Sequence, residues 1–267
     1  MKIGFIGLGS MAKAIIQGIL ISKAKINSKD ILVHSQHADN YKNYAQAYQL
    51  TPISSNQELI DQSDLIVLAL LPKVADKVIS QLTFPTNRPV ISVISGFDLQ
   101  HLSELTNPDQ PILRTLPNVN SEYGLGMTAY CANPTLKNLS EQFQKALQVF
   151  SLGGEVIELS EAQFPSFSAI SGSGVAYIDY FIECLSKAGV KYGLSKQQAI
   201  EIVSQTMLGS AKVVIESKQS PTDIIDKVSS PGGDTIKGLL KMEQKGFLNA
   251  VIKGIDATVE SANKISK

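Results

Sequence analysis

Three stretches of this sequence combine residue types and spacings that could do chemistry. The first is Gly7-Leu-Gly-Ser-Met-Ala12. Its first glycine permits a sharp turn, and its second removes the side chain that would hold a pyrophosphate away from the backbone. The small Ala12 lets a following helix pack closely on the preceding strand. Backbone N–H groups at the helix start would then face the phosphates. The second stretch is His34-Ser-Gln-His37, which follows the apolar run Ile31-Leu-Val33. In a dinucleotide-binding fold, an acid at this point bonds the ribose hydroxyls and repels a 2′-phosphate. No acid occurs until Asp39, which favours NADPH, with Ser35, Gln36 and His37 as phosphate contacts and Lys42 behind them. NADH stays open, as does the reading of these as ordinary polar loop residues. The third is Val228-Ser-Ser-Pro-Gly-Gly-Asp-Thr235. Two hydroxyls, a proline and two glycines ahead of a helix make a backbone concavity whose N–H groups suit a carboxylate. A plain interhelical loop fits the same spacing.

These segments need elements to position them. Lys2–Ile6 reads as a strand, and the residues to Ile21 are apolar at helical spacing, so the glycine turn lies between strand and helix. Further strands are expected at 31–34, 64–69 and 89–94, with an edge strand beginning at 112–113. Helices are expected around 39–48, 56–61 and 74–81. This alternation implies a doubly wound parallel α/β sheet of Rossmann type. After a last strand-like piece at 156–159 the pattern turns helical to the C-terminus. The expected division is therefore a dinucleotide-binding domain over 1–160 and an all-α domain over 161–267. Ser195-x-x-Gln198 reads as a capping box, and Ser220-Pro221 as a cap followed by proline in the first turn. Ile200, Val203, Met207, Ala211, Val214 and Ile215 cannot all face one small core, which points to an oligomer through these helices.

Composition sets outer limits. The 24 basic and 24 acidic side chains cancel, which argues against a nucleic-acid surface. No run approaches the ~20 apolar residues of a membrane span, and the apolar N-terminus is interrupted by Gly4, Gly7, Gly9 and Lys13. Cys131 and Cys184 lie in no CxxC array, and His34, His37 and His101 lack clustered acids. No metal site is therefore expected, and a cytoplasmic, reducing setting fits.

Gly7-Leu-Gly-Ser-Met-Ala12, Arg114-Thr-Leu-Pro-Asn118, Ser171-Gly-Ser-Gly-Val-Ala-Tyr177 and Ser229-Ser-Pro-Gly-Gly-Asp-Thr-Ile236 occur in this order along essentially the whole chain. Together they resemble pyrroline-5-carboxylate reductase. The resemblance implies a Rossmann domain followed by an all-α dimerisation domain, a homodimer or a ring of dimers, and reduction of 1-pyrroline-5-carboxylate to proline with NADPH or NADH. It implies Gly7, Gly9, Ser10 and Met11 at the pyrophosphate, and Pro117 and Asn118 at the nicotinamide end. Ser230, Gly232, Gly233 and Thr235 would bind the substrate, on a loop supplied by the partner subunit, with the Thr235 hydroxyl near the imine nitrogen.

The sequence departs from that pattern in four places. Val175 replaces a usual proline, Val119-Asn120 replaces x-Pro, Leu71-Pro72 replaces Lys-Pro, and Asp234 puts a negative charge beside an anion-binding loop. Two other readings stay open at this point. One is a divergent non-catalytic paralogue acting as a regulatory dimer. The other is a β-hydroxyacid-type dehydrogenase, for which Lys187 and Lys191 are the available helix lysines.

Overall fold

The computed structural model describes residues 1–22 and 26–265. Eight strands form one sheet: β1 (Ile3–Ile6), β2 (Ile31–His34), β3 (Thr51–Pro52), β4 (Leu65–Leu68), β5 (Val90–Ser92), β6 (Ile112–Leu116), β7 (Gly126–Ala132) and β8 (Gly154–Glu158). Their order is β3-β2-β1-β4-β5-β6-β7-β8. The strand order thus reverses at β1, which sits between β2 and β4. That reversal opens a crevice at the carboxyl ends of the strands, the usual ligand position in such sheets.

The helices of this part are α1 (Ser10–Ile21), α2 (Ala38–Tyr48), α3 (Asn56–Gln62), α4 (Pro72–Ile79), α5 (Leu99–Leu105), α6 (Pro134–Lys137), α7 (Ser140–Ser151) and α8 (Phe164–Phe167). The strands are apolar on both faces because helices cover both. Ile3, Phe5, Ile31, Val33, Leu65 and Val67 join Ile15, Ile16 and Ile19 of α1 and Val149 and Phe150 of α7 in one cluster. Ile6, Leu32, Ile66 and Leu68 alternate with them and join Leu59 and Ile60 of α3, Ala75 and Ile79 of α4 and Leu102 of α5 in a second. The two clusters follow the strand period of two.

Two expectations about the sheet need correction. It is parallel through β6, but β7 runs antiparallel to β6, and β8 parallels β7. Residues 112–113 therefore belong to an interior strand, paired on both sides, and not to an edge. The antiparallel step follows from a short connection: the 3₁₀ turn Val119–Tyr123 and αL Gly124 (φ 71°) reverse the chain without a crossover helix.

A helical series follows: a π-turn (Ser168–Gly172), α9 (Gly174–Lys191), α10 (Lys196–Ser217), α11 (Pro221–Val228), α12 (Asp234–Gln244) and α13 (Phe247–Ile265). The capping box forms as expected, with Gln198 N donating to Ser195 Oγ (3.3 Å) and Ser195 N to Gln198 Oε1 (3.0 Å). Ser220 caps α11 in the same reciprocal way with Asp223. The chain divides into two units, one of residues 1–172 with 259–267, the other of residues 173–258. Among the described residues no helix is long and apolar enough to cross a membrane, and no group of three or more His, Cys, Asp or Glu residues could hold a metal ion.

Candidate active site

A cleft of about 910 Å³ opens at the carboxyl ends of β1, β2, β4 and β5. Its size falls within the range of ligand and cofactor pockets. The turn after β1 forms its floor. Gly7 has φ +94°, and a Cβ there would stand 2.4 Å from the carbonyl oxygen of Ala69, so only glycine fits. Gly9 has open space where a Cβ would project, which leaves room for a ligand against the backbone. It is the N-cap of α1, and no side chain caps that helix start, so the first-turn N–H groups await an acceptor.

The second wall is the β2–α2 turn. Ser35, Gln36 and His37 all line the cleft, as does His34. His34 is held in place because its Nδ1 donates to the Ile53 carbonyl at 2.8 Å, with its ring 5.1 Å from that of Tyr41. The His37 side chain makes no cap bond to α2, the helix it precedes. Lys42 is exposed on α2 and does not line the cleft.

Leu71, one of the departures noted above, lines the rim, and the remaining walls come from residues that the sequence reading did not single out: Asn56, Val74, Lys77, Gln81 and Ser95. Three of them were readable in principle. Val74 and Lys77 recur at helical spacing opposite the buried Ala75 and Ile79 of α4, which marks an outward face, and Gln81 continues that spacing into the turn just past the helix. Only the crossover from β4 brings that face to the glycine turn. Among the described residues no Asp or Glu lines the cleft. This charge pattern and the uncapped glycine turn fit a nicotinamide dinucleotide, including one with a 2′-phosphate.

Pro117 and Asn118 follow β6 and are buried, but neither is among the residues lining this cleft. Asn118 is fully engaged: its Nδ2 donates to Ser171 Oγ (3.0 Å) and the Ser171 carbonyl (3.3 Å), and its Oδ1 accepts from Met127 N (3.4 Å). It thereby ties β6, β7 and the π-turn together. Arg114, on the same strand, donates from Nη1 to Glu161 Oε1 at 2.5 Å and lies 4.3 Å from the centre of the Phe164 ring. The same Glu161 oxygen accepts from Leu99 N at the start of α5 (2.9 Å).

The Ser230–Thr235 segment lies in the other unit and is largely exposed. Gly232 adopts φ +72°, and Gly233 N donates to the Ser230 carbonyl (2.9 Å), which closes a tight turn ahead of α12. Gly233 is the N-cap of α12, again without a side-chain cap, so the N–H groups that follow face outward. Thr235 sits in this first turn with its side chain exposed. Asp234 points to solvent, 3.8 Å from Lys237. Leu71 forms the N-cap of α4 and is exposed at the cleft rim. Lys187 pairs with Glu183 at 3.3 Å, and Lys191 lies over the Tyr192 ring.

Comparison with known proteins agrees with this geometry. The family model for pyrroline-5-carboxylate reductase dimerisation matches residues 161–265, and that for NADP oxidoreductase, coenzyme F420-dependent, matches residues 2–96. Pyrroline-5-carboxylate reductase of Synechocystis is 36% identical over 100% of this chain and 98% of its own. The crystal structure of 1-pyrroline-5-carboxylate reductase from Streptococcus pyogenes is 38% identical, with a TM-score of 0.88 over 99% of this chain and 98% of that one. The Plasmodium falciparum pyrroline carboxylate reductase, solved with NADP bound, is 30% identical, with a TM-score of 0.89 over 100% and 98%.

Proposed function

The chain belongs to the pyrroline-5-carboxylate reductase family, and on that footing we propose how its own residues share the work. It is an NAD(P)H-dependent oxidoreductase that reduces the cyclic imine 1-pyrroline-5-carboxylate to L-proline, a step of proline biosynthesis. The observation that carries the assignment of roles is the acid-free cleft over an uncapped glycine turn at the strand-order reversal.

We assign residues 1–160 to dinucleotide binding and 161–267 to dimerisation and substrate binding, a division supported by the dimerisation match beginning at residue 161. Gly9, Ser10 and Met11 hold the pyrophosphate at the uncapped start of α1, and Gly7, whose own N–H donates to the His34 carbonyl (2.9 Å), makes the turn that brings the phosphates against the backbone. Ser35, Gln36 and His37 contact the adenosine ribose and its phosphate. Pro117 and Asn118 close the nicotinamide end, with Asn118 held rigid by its bonds to Ser171 and Met127. When bound, the reduced nicotinamide supplies the hydride.

The chain's own task is orientation and charge. Hydride adds to the imine carbon most readily when the nitrogen is protonated, so the protein must hold the iminium form and anchor its carboxylate; positioning supplies much of the rate. Ser230, Gly232 and Gly233 take the carboxylate and ring at the uncapped start of α12. The Thr235 hydroxyl hydrogen-bonds beside the nitrogen. No acid–base pair is required of the protein, because the proton arrives on the substrate and stays on the product amine. The active form is a homodimer or a ring of dimers in which this loop serves the neighbouring subunit. Both cysteines are free, which supports a cytoplasmic setting.

The test is a turnover assay following loss of NADPH, and separately NADH, on adding pyrroline-5-carboxylate, with Thr235→Ala as the comparison. Loss of one positioned hydrogen bond to the reacting centre lowers kcat by about 10²-fold. An unchanged kcat would remove Thr235 from the chemistry. Cofactor binding without any turnover would overturn the assignment of the substrate loop.

A further inference from the structure

Among the described residues Lys77 is the only lysine or arginine that lines the cleft, and no carboxylate lines it. Lys77 stands on the face of α4 that carries Val74 and Val78, with Ala75 and Ile79 turned into the core, and Gln81 follows in the turn just past the helix. The nearest acid along the helix, Asp76, is diverted: its Oδ1 lies 2.6 Å from His101 Nε2 on α5. Among the described residues no acid forms an ion pair with the Lys77 ammonium. Across the same cleft the β2–α2 turn presents Ser35, Gln36 and His37, and Asn56 opens α3. These side chains offer hydrogen bonds but no permanent charge.

We propose that Lys77 sets the cofactor preference by supplying the positive charge that meets the adenosine 2′-phosphate, opposite the Ser35–His37 turn. The inference rests on the reading of this cleft as the dinucleotide site. Neutral donors alone stabilise a phosphate dianion poorly, and charge-assisted bonds are about twice as strong as neutral ones. A lysine does this as a point charge on a flexible stem, so no single rotamer is required of it. Being exposed, it is sensitive to salt.

The experiment is calorimetric titration of the full-length protein with adenosine 2′,5′-bisphosphate and with 5′-AMP, which differ only in the 2′-phosphate and need no turnover. The same titrations with NADPH and NADH follow. Native protein should prefer the bisphosphate, and Lys77→Gln should cut that preference by about tenfold or more at low ionic strength, leaving 5′-AMP and NADH affinities unchanged. Lys77→Arg should retain most of it, and added salt should erode it in the native protein more than in Lys77→Gln. Equal weakening of both nucleotides in Lys77→Gln would mean that the side chain only packs against the adenosine, and the proposal falls. An unaltered preference, or none in the native protein, overturns it as well. If the native protein binds none of the four, the cleft reading itself fails and takes this proposal with it.

Discussion

The two units of the chain solve the problem of burial in opposite ways. In residues 1–172 the strand and helix side chains close on each other, and Phe5, Ile16, Ile66 and Leu113 are wholly out of solvent. In residues 173–258 only Gly174, Ser186 and Ala199 are buried among the described residues, while Tyr180, Ile202, Leu208 and Leu248 stand at least half exposed. Yet helices α9 to α12 are fully formed, with reciprocal caps at Ser195 and Ser220. Helix formation is thus written locally in this unit, whereas its apolar faces have no counterpart in the same unit. A groove of about 530 Å³ lined by Tyr177, Tyr180, Phe181, Phe247 and Val251 is the centre of that unmet surface. Part of a dimerisation domain is expected to look like this when a subunit is seen alone.

The sharpest way to break this contrast is to put charge on the exposed faces. Tyr180→Asp combined with Leu248→Asp should abolish self-association, read as a halved mass by light scattering. It should reduce activity by more than about 100-fold, since each unpaired charge buried at an interface costs about 3 kcal/mol or more. NADPH binding should survive, because the cleft lies wholly in the first unit. Loss of cofactor binding together with activity would show that the two units are not independent in this sense.

A gentler pair of substitutions sharpens it. Ile16→Ala, in the sealed core, should cost about 2–5 kcal/mol in urea unfolding at any protein concentration. Ile252→Ala, half exposed on α13, should cost less in concentrated solution, with a penalty that grows on dilution. Equal, concentration-independent costs would contradict the division.

How much the sequence reveals follows the same division. The strand–turn–helix unit around Gly7 is legible because one residue, with φ +94° and a backbone oxygen in the way of any Cβ, admits no alternative. The caps of α10 and α11 are legible for the same local reason. Strand β7 is not: Gly126-Met-Thr-Ala-Tyr-Cys-Ala132 begins with a glycine and mixes small with polar residues, and its pairing with β6 is a tertiary fact. Helices α5 and α6 are too short for their periodicity to stand out. Among site residues, Gly7, Gly9 and the Ser35–His37 turn are contiguous with a strand end, so local reading finds them. The spacing of Lys77 marks it as lying on an outward helix face, but only the β4–α4 crossover brings that face to the cleft. The roles of Pro117, Asn118 and the Ser230–Thr235 loop came from likeness to a family, since local physics allowed an ordinary turn at each place.

The ion pair beneath the first unit offers a smaller effect. Glu161 Oε1 serves both Arg114 and Leu99 N, so Glu161→Leu leaves a mostly buried guanidinium without its carboxylate. A fully buried pair broken on one side loses about 3–5 kcal/mol. Glu161 is about a third exposed, and solvent screening brings the expected loss to about 1–3 kcal/mol. Glu161→Gln should lose less, because an amide oxygen still accepts both bonds. If Leu and Gln variants unfold alike, the charge contributes nothing and only the acceptor matters.

The least disruptive probe reads burial through thiol chemistry. Cys131 lies on β7 within the first unit, packed with Ala129 and Phe164, and burial pushes its thiol up to about 12, assisted by the nearby Glu161 carboxylate. Cys184 is exposed on α9 in the second unit and lines the apolar groove. Because the thiolate is the reacting form, Cys131 in the folded chain should stay inert to a disulfide reagent at pH 8, where an unfolded thiol reacts readily. Its shift also sets a sign for stability. The folded chain retains this proton where the unfolded chain, titrating near 9, releases it, so the contribution is fully present below pH 9 and is lost as pH rises from 9 towards 12. Cys184 should react in the dissociated Tyr180→Asp/Leu248→Asp protein and be slowed in the native assembly. One fast and one silent thiol in the variant, with both slow in the native protein, is the pattern of one unit that buries its own surface and one that needs a second copy. Rapid labelling of Cys131 in folded protein would mean that β7 opens readily, and the first unit would lose its claim to a closed core.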